Sequence, residues 1–164
     1  MGALVRWLED GGRLIYAPAF NDPLAAALGL VVERVWADTL VHRGVATAAP
    51  AADHPLTSGV DSVPGFAFVF ADRSRALAAD AVPLVEIAGG RASVVLLSQG
   101  EGMVMAWSDA APLTNQAIRA GDGAVLFVRA TKEFGRDGGE LQFDEYHHGF
   151  RGGGSPVAAM TDFL

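Results

Sequence analysis

The stretch from residue 83 to 108, PLVEIAGGRASVVLLSQGEGMVMAWS, limits what this chain can fold into more than any other. Three apolar runs, PLVEIA (83–88), ASVVLLS (92–98) and MVMAWS (103–108), are too short for stable helices and rich in Val, Leu and Ile. GGR and QGEG separate them, and glycine there lets the chain reverse within a few residues. The spacing predicts an antiparallel meander of three neighbouring strands. Such a sheet is apolar on both faces and must be covered by other elements.

The rest of the chain supplies candidates. Residues 3–9, ALVRWLE, set Leu4, Trp7 and Leu8 at helical spacing, and DGG stops the run. RLIYAP (13–18) reads as a short strand. In NDPLAAALGL a helix is marked at both ends, with Asp22 as N-cap, Pro23 at the first helical position and Gly29 at the close. VVERVW (31–36) and TLVHRGVAT (39–47) read as strands, 48–65 with its three prolines as loop, and FAFVFA (66–71) as another strand. A helix is expected over 121–133, starting from Asp122, and a last strand over ELQF (140–143). Helices and strands alternate early and a meander comes late, so the predicted class is α/β with a mixed sheet. One domain spans 1–150, and the Gly-rich tail 151–164 is expected to be partly disordered.

Composition removes several functions. The net charge of −7, with 12 scattered basic residues, argues against a nucleic-acid partner, whose phosphates demand clustered Lys and Arg. No run reaches the ~18 apolar residues that span a bilayer, so the chain as given is expected to be soluble. Cysteine is absent, which excludes disulfides, thiolate metal sites and a cysteine nucleophile. Neither G-x-x-x-x-G-K-S/T nor G-x-S-x-G occurs, and no cofactor is expected.

Chemistry concentrates in two places. FDEYHHGF (143–150) packs Asp144, Glu145, Tyr146, His147 and His148 between two phenylalanines. If the strand continues into it, Asp144, Tyr146 and His148 share one face while Glu145 and His147 share the other. Adjacent histidines therefore do not grip one metal together, and no metal is expected. A metal set, if present, would be His148 and Asp144 with remote Asp109. The plain alternative is a carboxylate that orients a histidine in a buried turn. The second cluster is WSDAAPLTNQAIRAGDGA (107–124), where Asp109 follows a strand, Asn115 lies in the loop and Asp122 stands at a helix start. Ligands of open α/β sheets gather beyond the carboxyl ends of strands. The same residue types also serve caps and turns, and Asp122 reads first as a cap. His54, before Pro55 in DHPLTSGV, reads as a surface loop residue.

The segments ALVRWLEDGGRLIYA, DPLAAALGL, HPLTSGV, GEGMVMAWSDAAPLTNQAI and FDEYHHG, in this order, resemble the bacterial domain of unknown function family 4350. The resemblance runs from about residue 3 to 150, and E-Y-H-H-G is its most specific part. It implies a mixed-sheet three-layer sandwich similar to class I glutamine amidotransferase (flavodoxin-like) domains, held in a membrane-anchored protein. The family pattern has a membrane segment and further strand–helix units before WLEDGGRL and another membrane helix after E-Y-H-H-G. This sequence shows neither, so it is expected to lack the first strand–helix units, and an exposed sheet edge would invite a second copy. Partners implied are membrane proteins of the same assembly. Without cysteine, glutamine hydrolysis by a Cys–His pair is excluded. Two readings remain from the sequence. One is a non-catalytic binding module whose polar wall is Asp109, Asn115, Asp122 and 144–148. The other is a hydrolase pairing Asp144 or Glu145 with His147 or His148 as acid and base, with or without a metal.

Overall fold

The computed structural model describes residues 2–17, 22–35, 46–72, 81–135 and Gln142. In chain order these form α1 (Gly2–Glu9), β1 (Arg13–Tyr16), α2 (Pro23–Ala27), β2 (Val32–Arg34), β3 (Ala46–Pro50), β4 (Val63–Phe66), β5 (Phe68–Phe70), β6 (Val82–Ile87), β7 (Arg91–Gln99), β8 (Gly102–Trp107) and α3 (Gly123–Phe134). Single 3-10 turns lie at Pro55–Thr57 and Ala111–Leu113. Class and meander are as the sequence predicts: mixed α/β, few helices, and β6, β7 and β8 paired antiparallel in succession.

The meander is the centre of a six-stranded sheet in the order β1-β8-β7-β6-β3-β4. β1 lies parallel to β8, and every other pair in the sheet is antiparallel. Working outward, β1, β8, β6 and β4 point one way and end along a common carboxyl edge. β2 and β5 make a separate antiparallel ribbon. The sheet curls, which brings the ends of β4 and β8 within stacking range. Phe66 of β4 and Trp107 of β8 lie with ring centroids 6.2 Å apart. Both are fully buried, and aromatic pairs at this distance add to area burial.

Strand alternation sorts the core. Met105 and Trp107 face one side, with Val63, Phe66, Leu84, Leu126 and Ala130. Val104 and Ala106 face the other, with Leu8, Leu24, Leu28 and Phe70. Thus α3 covers one face while α1, α2 and β5 cover the other. α1 reaches the sheet through its last turn, where the Glu101 N–H donates to the Glu9 carbonyl at 3.0 Å and the Met103 N–H to the Gly12 carbonyl at 3.0 Å. This approach leaves no room for a side chain at residue 102, since a Cβ there would overlap the carbonyl oxygens of Leu8 and Gly12. Glycine at 102 is what lets backbone meet backbone.

Three expectations need correction. The span 48–65 is not all loop, because β3 covers 46–50 and β4 covers 63–66. β3 is a central strand held between β4 and β6, so pairing overrides its poor β propensity. β4, with Pro64, is an edge strand, where a missing N–H costs no ladder bond. Second, 66–71 is not one strand: the chain bends at Ala67, ending β4 and starting β5 in a different sheet. Third, Gln142 is exposed and outside any strand, so the strand expected over 140–143 is not seen at its one described position. The strand expected over 39–47 falls largely outside the described residues, as do the tail and the octet 143–150.

Candidate functional site

The carboxyl edge of β1 and β8 is where a ligand of such a sheet would sit, and polar groups do gather there. β8 ends in buried Trp107, and Ser108 and Asp109 follow directly. The Ser108 hydroxyl donates to the Phe68 carbonyl at 2.8 Å, and its N–H donates to the Ser93 carbonyl at 2.8 Å. Asp109 spends both oxygens on backbone: Oδ2 accepts from the Ala67 N–H at 2.8 Å and Oδ1 from the Ala111 N–H at 2.8 Å. The Ala67 carbonyl in turn accepts from the Val35 N–H at 2.9 Å. The corner where the chain leaves one sheet for the other is thereby fixed on both sides.

Asp122 is not gathered with Asp109. It stands in the N-cap position of α3 but makes no side-chain cap bond. Its Oδ2 instead accepts from the N–H groups of Asp61 (2.9 Å) and Ser62 (3.0 Å), and its own N–H donates to the Ser62 carbonyl at 2.8 Å. These bonds favour the ionised form, so the amides of Ser62 and then Asp61 hold the carboxyl below its ordinary 3.8. Asp109 thus grips the chain just after β4 and Asp122 just before it. A four-residue strand separates the two grips by roughly 13 Å, so they belong to opposite ends of the sheet. Asn115 lies between them on the exposed loop that runs along β4.

His54 also has a local task. Its Nδ1 accepts from the Leu56 N–H at 3.1 Å and caps the 3-10 turn, where Pro55 already fixes the backbone. Asp144, Glu145, Tyr146, His147 and His148 lie outside the described residues. Among the described residues, no group of three or more His, Asp or Glu side chains could hold a metal ion.

Three buried polar atoms lie at this end of the sheet: Ser93 Oγ and Trp107 Nε1, which make no hydrogen bond with described residues, and Tyr16 Oη, which lies beside the Asp22 carboxylate. Tyr16 ends β1 beside Ala106, on the face opposite Trp107. Burial first, and the neighbouring Asp22 carboxylate second, push its ionisation far above the usual phenol range. Ser93 sits where the β6–β7 register shifts, Val85 and Glu86 pairing with Val94 and Ala92 and leaving it as the extra residue. None of the three was singled out from sequence. Only pairing shows that they share an end of the sheet, although Ser108, a polar residue closing an apolar run, was visible beside Asp109.

No known family profile matches the chain, and no curated protein matches it by sequence. Solved structures do share the architecture. The cytoplasmic protein STM1381 from Salmonella typhimurium LT2 is similar with a TM-score of 0.54 at 17% identity, over 79% of this chain and 59% of that one. A β-galactosidase from Rahnella sp. R3 is similar with a TM-score of 0.53 at 17% identity, over 79% of this chain and 20% of that one. The mmIFT52 N-terminal domain gives 0.55 at 11% identity, over 87% and 72% respectively. At these identities the likeness is one of fold alone.

Proposed function

We infer that this domain is a non-catalytic binding module of a membrane-associated bacterial protein, taking a small polar ligand or a partner's loop. The finer fold reading, a sandwich of the class I glutamine amidotransferase kind, belongs to the same proposal and rests on the sequence resemblance. One observation carries the non-catalytic part. Asp109 and Asp122, the described carboxylates among the candidate residues, are engaged by backbone amides, each at its own end of β4. Hydrogen bonds from amides favour the ionised form of a carboxylate and make it a weaker base toward a substrate proton. Amide-bound carboxylates serve instead as ties that make a rigid platform, and the exposed loop with Asn115 is built on that platform. The absence of cysteine supports the same reading, since a thiolate route is closed.

No helix among the described residues is long and apolar enough to cross a membrane, and the membrane setting in this proposal rests on the sequence resemblance alone. The test is an NMR titration of the full chain with free glutamine and with inorganic phosphate, run beside a panel of nitrophenyl esters and phosphates. The reading expects shifts confined to Asn115 and residues 144–148 and no turnover. Hydrolysis that disappears in His148→Ala would replace it with the acid–base alternative.

A further inference from the structure

Among the described residues five large apolar side chains are exposed, and four of them fall in pairs on two helices. Leu4 and Trp7 stand three residues apart on α1, 36% and 48% exposed. Val125 and Val128 stand three apart on α3, 37% and 47% exposed. That spacing puts each pair on one side of its helix. The Trp7 ring is also seated: it lies over Gly12, where a Cβ would come within 2.5 Å of the indole. Glycine at 12 lets the ring rest on backbone, and a half-exposed tryptophan held in this way is a ready anchor for an interface.

The charges beside the two pairs are of opposite sign. Asp10 continues the line of Leu4 and Trp7, its N–H still donating to the Arg6 carbonyl at 2.9 Å. Exposed Glu9 and Glu101 are next to it, joined by the bond from the Glu101 N–H to the Glu9 carbonyl. On α3 the valines are followed by Arg129 and Lys132, both exposed. At the amino ends the signs reverse. The Arg6 guanidinium lies back beside Gly2, while exposed Asp61 is fastened to the start of α3 by its N–H on Asp122 Oδ2. Laid side by side in parallel, the two helices set apolar against apolar and opposite charges together at both ends. Laid antiparallel, they set cation against cation and carboxylate against carboxylate.

Because α1 and α3 cover opposite faces of the sheet, one molecule cannot bring the two together within itself. We propose that α1 of one copy docks, in parallel, on α3 of the next. The interface is head-to-tail, so each copy offers both halves, and copies add in a row or close into a ring. Trp7 and Val128 form its apolar centre, and the carboxylates of Asp10 and Glu9 meet the cations of Arg129 and Lys132 at one end. The proposal stands whether or not the carboxyl edge of the sheet binds a ligand.

Sedimentation velocity of the full chain tests this. The parent should associate as its concentration rises. Trp7→Glu spoils the α1 half, and Arg129→Glu with Lys132→Glu spoils the α3 half. Each variant alone should weaken association by about tenfold or more while keeping the parent's circular dichroism spectrum. Leu4→Glu takes the place of Trp7→Glu if the latter loses that spectrum. Mixed in equal amounts, the two variants should form a dimer that grows no further, because each keeps the half that the other lacks. A parent that stays monomeric at the concentrations of an NMR sample overturns the proposal. So does an oligomer that neither variant weakens, or a mixture of the two variants that stays monomeric.

Discussion

The β4 edge and the β1 edge solve the same problem by different means. β4 is short, carries proline, and is gripped at both ends by carboxylates from a loop that lies along it. Its isolation is built from side chains near in space and distant in sequence. β1 is short as well, but its inner side is closed by backbone, through the ladder to β8 and the contact of α1 with the β7–β8 turn. In the order of described strands it is the outermost on its side. An outer strand can thus be held by side-chain ties from a loop or by backbone-to-backbone bonds, and this sheet has one of each.

Breaking the β4 ties should cost most. Asp109→Ala strips acceptors from two part-buried amides, those of Ala67 and Ala111, and should destabilise the domain by about 3 kcal/mol. In a thermal melt this reads as a loss of about 10 °C. An unchanged midpoint would show that the corner at Ala67 holds itself. Gly65→Ala tests the packing of the loop on β4. Gly65 has φ 104°, and a Cβ there would come within 3.3 Å of the Ala117 Cβ, so about 1–2 kcal/mol should be lost in urea titration.

Asp122→Asn should act through pH. The folded chain holds this carboxyl below 3.8, so its contribution is present above the unfolded value and disappears as pH falls through the lower folded one. Melts from about pH 7 to about pH 2 should therefore show a smaller acid loss in the variant than in the parent, with the two curves converging at the acid end. Parallel curves would remove Asp122 from the account of the β4 edge.

The smallest change is expected on the β1 side. Tyr16→Phe removes a buried hydroxyl that lies beside the Asp22 carboxylate and should cost about 1 kcal/mol or less at neutral pH. Above about pH 10 the unfolded phenol ionises while the folded one resists, so the parent loses stability there and Tyr16→Phe does not. A larger neutral-pH loss would show that the Tyr16–Asp22 contact ties β1 to the start of α2 more strongly than one ordinary hydrogen bond.

The sequence by itself determined the meander, because glycine turns and continuous β-rich runs act over a few residues. It also determined the local ends of α2. Asp22 Oδ1 accepts from the Leu24 N–H at 2.7 Å with Pro23 at the first helical position, as its pattern implies. It did not disclose β3 or β4, whose Ala, Pro and Gly have little intrinsic liking for strands and are held there by neighbours. For the candidate site, Asp109 was legible as a residue at a strand's end. Its occupation by Ala67 was not, since that bond crosses 42 positions. Asp122 was legible as a helix start, yet its carboxylate answers amides at 61 and 62 rather than its own helix. Short-range geometry is written into neighbouring residues, whereas the partner of a side chain at the end of a strand is decided only when the sheet curls and brings distant backbone to it.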